Sequence, residues 1–552
     1  MRPSPNPRHL VAVLILIGVA GAYAYLGLLD SSFSDEQIAS ATAVRKLHDG
    51  SAFPADFTYG PTGLWRLRSG VFERMILPLY SIRPDRPLWP TRLLVGPMSL
   101  LYLLSMYALL FGQTRSWSVS VVVAALSSVT IEAAGGAFWG TGPLWAVSPL
   151  GLSVAMTPLA ALALAGRSDL RSLLGAGVVM LAITQLHPGW SVNLALALLV
   201  ACLLDRPPKD GIKCAAVLLG ALVIGSGFTL WLRSIEGVPT GQAELPMGEV
   251  VAAFSTAGSM LLYPRLLERL AQWGLVAAGL AVPSILILLR MERYRARHLL
   301  FWLALGGGAL VVGLVLSLAA QGLGALLHQV WYVGFPMALA IVLLPIWVLL
   351  AQALTVLFRI FRPWRHLIGW VLGILAVLWF LPSDNVRVIR HQAYALASTF
   401  MEQEDKPRRL GQIHERRDRQ AELDVIAMWA AHETDPAAAF ISNQAILRLR
   451  SGRSLPACPQ DLLPVLYLQP ARLGEWAGRL ERINLLLQPP QDKVDAQAVV
   501  DFAAELSSTE PLDRVTQWYI ILPAQVQVEP HELLQPIDRP EWGNHYRLYR
   551  VR

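Results

Sequence analysis

The sequence predicts a polytopic α-helical membrane protein of about eleven transmembrane helices, with a small α/β domain at its C-terminal end. Three observations predict it. Of 552 residues, 54% are hydrophobic and only 15% charged, and mean hydropathy is +0.46; so little charged surface would not keep a soluble monomer in solution. The apolar residues gather in runs close to the length that crosses a bilayer. The basic residues fall between alternate runs, which is a signal of topology.

The runs are 10–29, 92–112, 117–134, 147–165, 172–186, 191–204, 214–232, 273–290, 298–319, 333–355 and 367–382. The first follows Arg2 and Arg8 and ends in small residues from Ala20 to Ala24. The number of later runs favours an uncleaved signal anchor over a cleaved signal peptide, and either places Asp30 onward outside. Basic clusters at Arg115, at Arg167 and Arg171, at Arg206, Lys209 and Lys213, at Arg290 to Arg297 and at Arg359 to Arg365 mark the cytoplasmic loops. The N-terminus is then cytoplasmic and the tail extracytoplasmic. Residues 1–382 form the transmembrane domain, whose outer loop 30–91 carries interfacial helices, and residues 383–552 form the soluble outer domain. The net charge of +7 is therefore a product of topology, and no nucleic-acid partner is expected.

Runs 172–186 and 191–204 are short for full spans and are separated only by His187-Pro188-Gly189-Trp190. They suggest a hairpin whose tip sits at or below the outer surface, and broken helices of this kind line cavities. Cys202, Cys214 and Cys458 have no metal-ligand spacing, so neither a disulfide framework nor a zinc site is expected.

The tail begins with a charged helical stretch that continues through Asp418. Short apolar runs follow at Ala439–Ile441, Asn484–Leu487, Trp518–Leu522 and Tyr546–Val551, alternating with helix-like segments such as Glu475–Ile483. That alternation reads as a small α/β domain.

Chemistry is best placed just behind the first run, at Ser34-Asp35-Glu36-Gln37. Apolar Ile38, Ala41, Val44 and Leu47 follow at helical spacing, and Gly50 closes the segment. Ser34 and Gln37 make a capping box, with Gly50 as the residue that ends a short amphipathic helix at the outer interface. Asp35 and Glu36 then occupy the first turn, where the helix dipole favours carboxylates. Such carboxylates can accept a proton from a substrate hydroxyl or hold a divalent cation. They can equally do no more than stabilise the helix start.

After this helix come the aromatic turn Phe53-Pro54-Ala55-Asp56-Phe57-Thr58-Tyr59-Gly60-Pro61-Thr62-Gly63 and a second amphipathic stretch to Tyr80. A first span, an Asp-Glu pair, an amphipathic helix and a Tyr-Gly-Pro turn, in this order, resemble the GT-C superfamily of integral membrane glycosyltransferases, such as the protein O-mannosyltransferases and the lipid A aminoarabinose transferases. The resemblance covers the first hundred residues well and the rest in architecture alone: many spans, a cavity under outer loops and a C-terminal outer domain. It implies a polyprenyl-phosphate-linked sugar as donor and an extracytoplasmic glycan, lipid or protein as acceptor, in a bacterial inner membrane whose lipids are its surroundings. It carries the role of base to Asp35, with Glu36 beside it, and extends loosely to Tyr59, as a substrate contact, and to Pro61. A second acid in the second outer loop corresponds to Glu132, which is also placed as an interfacial residue facing water would be. Glu36 and Glu132 would hold a divalent cation, magnesium or manganese, or orient the acceptor.

Three further residues have two readings each. His187 binds a phosphate or hydroxyl, or caps a buried turn. Arg265 neutralises a lipid phosphate, or snorkels to head groups. His328 belongs to the site, or to an aromatic belt with Trp331 and Tyr332. No Walker A sequence, zinc-protease helix, dinucleotide fingerprint or nucleophile elbow occurs in a fitting context. Two other classes stay in view: a polysaccharide polymerase or lipid-linked glycan transporter, and a non-catalytic envelope assembly protein.

Overall fold

In hydrocarbon a backbone must satisfy its own hydrogen bonds, so apolar runs of this length fold as helices. The computed structural model describes residues 7–29, 35–60, 70–129, 147–165, 169–235, 247–256, 263–290, 299–319, 334–381, 383, 386, 388–390, 392–393, 396, 408–462, 464–465, 470–489, 493–509, 511–528 and 531–552. The chain forms two compact units. The first comprises Met1–Ser32, Thr91–Leu232 and Tyr263–Arg390; the second comprises Phe33–Pro90, Arg233–Leu262 and His391–Arg552.

The helices up to the fourth basic cluster are α1 (Pro7–Leu29), α2 (Asp35–His48), α3 (Val71–Ile82), α4 (Trp89–Leu93), α5 (Val95–Thr114), α6 (Trp117–Ser127), α7 (Pro149–Leu164), α8 (Leu170–Leu186), α9 (Pro188–Asp205), α10 (Pro208–Ile235), α11 (Met247–Thr256) and α12 (Tyr263–Arg290). Then follow α13 (Leu299–Ala319), α14 (Gly334–Ile360), α15 (Arg365–Phe380), α16 (Arg408–Glu433), α17 (Ala445–Ser451), α18 (Leu473–Leu487) and α19 (Ala496–Ser507). The strands are β1 (Ala439–Ile441), β2 (Lys493–Val494), β3 (Trp518–Pro523), β4 (Gln527–Val528), β5 (Leu534–Ile537) and β6 (Tyr546–Val551).

Among the described residues, six helical stretches are long and apolar enough to cross a membrane: Pro7–Leu29, Trp89–Thr114, Pro188–Asp205, Pro208–Phe228, Leu299–Leu316 and Met337–Ile360. Shorter apolar helices occupy Trp117–Ser127, Pro149–Leu164, Leu170–Leu186, Gly274–Arg290 and Gly369–Phe380. The chain is thus a helical membrane protein. Of the long stretches, Met337–Ile360 is the most enclosed, with 78% of its apolar window buried, and α14 packs against α13 and α12. Helices α1 and α5 approach closely because small residues face across the contact: Gly27 lies against Val95, and Gly96 against Ala24. Large apolar side chains such as Leu275, Trp370 and Val223 point outward, as an apolar solvent permits.

The second unit is built on a four-stranded sheet in the order β1-β3-β6-β5, with β1 parallel to β3 and the other pairs antiparallel. A separate parallel pair joins β2 to β4. Phe440, Tyr519, Ile521 and Leu548 from the large sheet pack on Leu423, Ile426 and Ala430 of α16 and on Leu447 and Leu449 of α17. Ala41 of α2 enters the same core, so the loop behind the first span is part of the fold of the tail.

Three sequence expectations change here. The run Asn484–Leu487 is the end of α18, because Trp476, Leu480, Ile483 and Leu487 continue one buried helical face. Helix α2 is enclosed on nearly all sides, with Ala39, Ser40, Ala41, Thr42 and Ala43 all buried; a stretch of such small residues lets neighbours close in from every direction. Gly50 does not end α2 in the left-handed region. The helix closes instead on Lys46, whose Nζ donates to the carbonyls of Gly50 and Ala52 at 2.9 and 2.5 Å, and on Asp49, which accepts from Ser51 N–H at 2.9 Å.

Candidate functional site

The residues from Ala52 to Gly60 fold back along α2 and against the tail. Proline and aromatic residues bias this stretch to turns, and Asp56 organises it. Its Oδ1 accepts the N–H groups of Thr58 and Tyr59 at 3.0 and 2.9 Å, and its Oδ2 accepts the N–H of Leu455 at 2.9 Å. Gly60 is required at the end of the turn, since a Cβ there would stand 2.4 Å from the Asp56 carbonyl oxygen.

Arg448, on α17, joins Asp56 to Asp461. Its guanidinium donates to both Asp461 oxygens at 2.8 and 2.6 Å and to both Asp56 oxygens at 3.3 and 3.4 Å. All three side chains are 0% exposed. Burial works against the Arg448 charge, but the Asp461 and Asp56 carboxylates outweigh it and hold the guanidinium protonated above its ordinary range. Burial pushes the Asp56 carboxyl up, against the pull of Arg448 and of the Leu455 and Tyr59 amides. Burial also pushes up the Cys458 thiol, which is hydrogen-bonded to Asp461. With one guanidinium for two carboxylates, the cluster is closed to solvent and acts as a clamp between the first loop and the tail.

Aromatic side chains of the loop reinforce it. The Arg448 guanidinium lies 4.6 Å from the Tyr59 ring centre, and Arg472 and Arg479 lie 3.9 and 4.6 Å from that of Phe57. Gly452 adopts φ +75°, and a Cβ there would meet the Arg45 guanidinium at 2.6 Å. Glu73 of α3 is a further buried carboxylate, accepting from Ser40 Oγ of α2 at 3.0 Å.

The sequence-derived residues fall as follows. Asp35 is the first residue of α2; its side chain lies outside the described residues, as do Glu132, His328 and the side chain of Arg265. Glu36 is half-buried in the first turn of α2. Tyr59 is 1% exposed, and its hydroxyl donates to the Ala39 carbonyl at 3.2 Å. His187 ends α8 and caps α9, its Nδ1 accepting the Trp190 N–H at 3.1 Å. Among the described residues no group of three His, Cys, Asp or Glu side chains could hold a metal ion. A cation on Glu36 and Glu132 would thus need residues that lie outside them.

Sequence reasoning passed over Asp56, Arg448 and Asp461. The available signal was one carboxylate inside an aromatic, proline-bearing turn; its partners are some four hundred positions away. Where α2, α3 and α17 end, the second unit also has an open pocket of about 210 Å³ lined by Arg45, His48, Asp49, Tyr80, Asp85 and Arg450 with two prolines. No family model matches the chain, and no curated protein matches it significantly.

Proposed function

We propose that this chain is a membrane glycosyltransferase of the GT-C type that moves a sugar from a polyprenyl-phosphate donor to an extracytoplasmic glycan, lipid or protein. One observation carries the reading: α2 begins at Asp35, close behind the membrane-length helix α1, with Asp35 and Glu36 in its first turn. Asp35 takes the proton of an acceptor hydroxyl. The oxygen lone pair attacks the anomeric carbon, and the bond to the lipid phosphate breaks with its electrons going to phosphate. A single displacement of this kind inverts the anomeric centre. His187, Arg265 and His328 are assigned to the phosphate and the hydroxyls around it, and Glu36 and Glu132 to the acceptor.

The chain is placed in a bacterial inner membrane with its N-terminus cytoplasmic. The three segments of the second unit, Phe33–Pro90, Arg233–Leu262 and His391–Arg552, are among those that the basic clusters put outside, and their common fold supports one extracytoplasmic body.

The test is transfer of radiolabelled sugar by the protein in right-side-out vesicles, with donor and acceptor supplied at the outer face. Asp35→Asn should lower transfer by at least about a hundredfold, the usual contribution of a general base. Wild-type rates in that variant would remove Asp35 from the chemistry. Absence of transfer by the wild-type protein would leave the assembly and transport readings.

A further inference from the structure

We propose that the pocket formed by Arg45, His48, Asp49, Tyr80, Asp85 and Arg450 is a carbohydrate-binding subsite. Its lining comes from the C-terminal end of α2, the end of α3, the Pro84–Pro87 turn and the end of α17, all within one compact unit.

The lining excludes the other common ligand classes. The lining holds two guanidiniums and two carboxylates, so it offers no net charge to an anion, and the guanidiniums repel a cation. Few apolar atoms are present for a lipid tail. Its volume, about 210 Å³, lies below the roughly 300 Å³ at which drug-sized sites begin and suits a single sugar ring. A sugar presents adjacent hydroxyls that both donate and accept. Arg45 and Arg450 supply paired donors, Asp49 and Asp85 supply paired acceptors, and the prolines and His48 ring offer C–H and ring surface.

Arg45, His48, Asp49 and Arg450 are held in place before any ligand arrives. Arg45 donates to the Leu449 carbonyl. Arg450 is paired with Asp424 at 2.8 Å. The Ser51 side chain and N–H hold the Asp49 carboxyl below its ordinary range. His48 meets the Tyr80 ring edge-on at 5.3 Å, with Nδ1 3.3 Å from Ser81 Oγ. Fixed polar groups lose little entropy on binding, which separates a built site from an ordinary charged surface.

The position adds a substrate class, in a step that rests on the transferase reading. Asp35 and Arg45 stand at opposite ends of α2, about 15 Å apart at 1.5 Å per residue. An acceptor that reaches both is an oligosaccharide, so the pocket would hold a distal sugar of a growing glycan.

The measurement is saturation-transfer NMR on the full-length protein in lipid nanodiscs, with glucose, galactose, mannose, N-acetylglucosamine, maltose and cellobiose as probes and inorganic phosphate as competitor. At least one sugar should receive saturation. The signal should fall at least about fivefold in a His48→Ala, Asp85→Asn double variant, the scale of one or two lost hydrogen bonds, while Lys493→Ala, elsewhere on the unit, keeps it. Both changes are at exposed positions, and an unchanged melting temperature shows that the fold is kept. No saturation with any sugar, an unchanged signal in the double variant, or displacement by phosphate would each overturn the assignment. The measurement contains no donor, so retained sugar binding without transfer would overturn the transferase reading and leave the subsite standing.

Discussion

In the first unit, Gln113 Oε1 accepts from Trp302 Nε1 and Gln352 Nε2, each at 3.4 Å, with all three residues buried. In the second, Arg448 is buried as deeply but meets two ionisable carboxylates. The contrast holds across each unit. The buried polar side chains described in the first are hydroxyls and amides such as Ser127, Thr157, Asn193 and Gln352, whereas Lys46, Asp56, Glu73, Glu422, Arg448, Arg453, Asp461 and Arg479 all belong to the second. Neutral groups can be satisfied by a neighbouring turn or hydroxyl, as Tyr102 Oη is by Ser127 Oγ at 2.9 Å. Full charges need partners and, during folding, water from which to be withdrawn. The division follows composition: the first unit carries the membrane-length apolar helices, whereas the second pairs the charges that it buries.

The sharpest way to break this contrast is to remove the guanidinium that joins the two carboxylates of the buried cluster. Arg448→Ala leaves Asp56 and Asp461 facing each other without the guanidinium they share, and should destabilise the second unit by about 3–5 kcal/mol. The triple change Asp56→Asn, Arg448→Met and Asp461→Asn removes every charge together and should cost less than the single change. Limited proteolysis across the Ala52–Gly60 loop, with thermal unfolding alongside, reads both. A single change milder than the triple would mean that the cluster is not a charge clamp.

The converse change puts a charge where the buried polar side chains described in the helical unit are neutral. Gln352→Glu places a carboxylate against Gln113 in an apolar surround and should cost about 2.5–3.5 kcal/mol, the scale for a charge at the middle of a membrane helix. Gln352→Met, similar in volume and uncharged, should be nearly neutral. Thermal unfolding of the purified protein distinguishes them. Equal melting temperatures for the Glu and Met variants would remove the distinction between the two interiors.

The helical character of the first unit was legible in the sequence, because hydropathy is a local signal. The apolar runs emerge as helices, and the strands at Ala439–Ile441, Trp518–Pro523 and Tyr546–Val551 follow from short apolar runs between turns. What was not legible is where distant segments meet. Nothing near Asp56 in the chain specifies Arg448 as its partner, and the small residues of α2 that admit neighbours on every side resemble, in a linear reading, one weak amphipathic face. The pocket has the same origin, since its walls come from three separated stretches. Local patterns reveal elements, whereas a site assembled across sequence distance is specified by packing.

The smallest expected effect concerns the proton inventory of the clamp. Burial raises the Asp56 carboxyl above its ordinary value, so the folded unit binds a proton there more tightly than the unfolded chain does. The groups facing it are Arg448 and Asp461 directly, Lys46 from α2, the Cys458 thiol and the backbone N–H groups of Thr58, Tyr59 and Leu455. A raised folded value contributes stability that is fully present below the unfolded value, near 3.9, and is lost as pH rises through the folded one. Melting temperatures measured upward from about pH 4 should therefore fall more steeply for the wild-type protein than for Asp56→Asn, whose amide does not titrate. The substitution keeps the side-chain shape, so the two slopes, and not the absolute stabilities, carry the answer. Parallel slopes would mean that Asp56 stays ionised throughout, held by Arg448 and the three backbone amides, and the second unit would then bury a full negative charge with no proton to offset it.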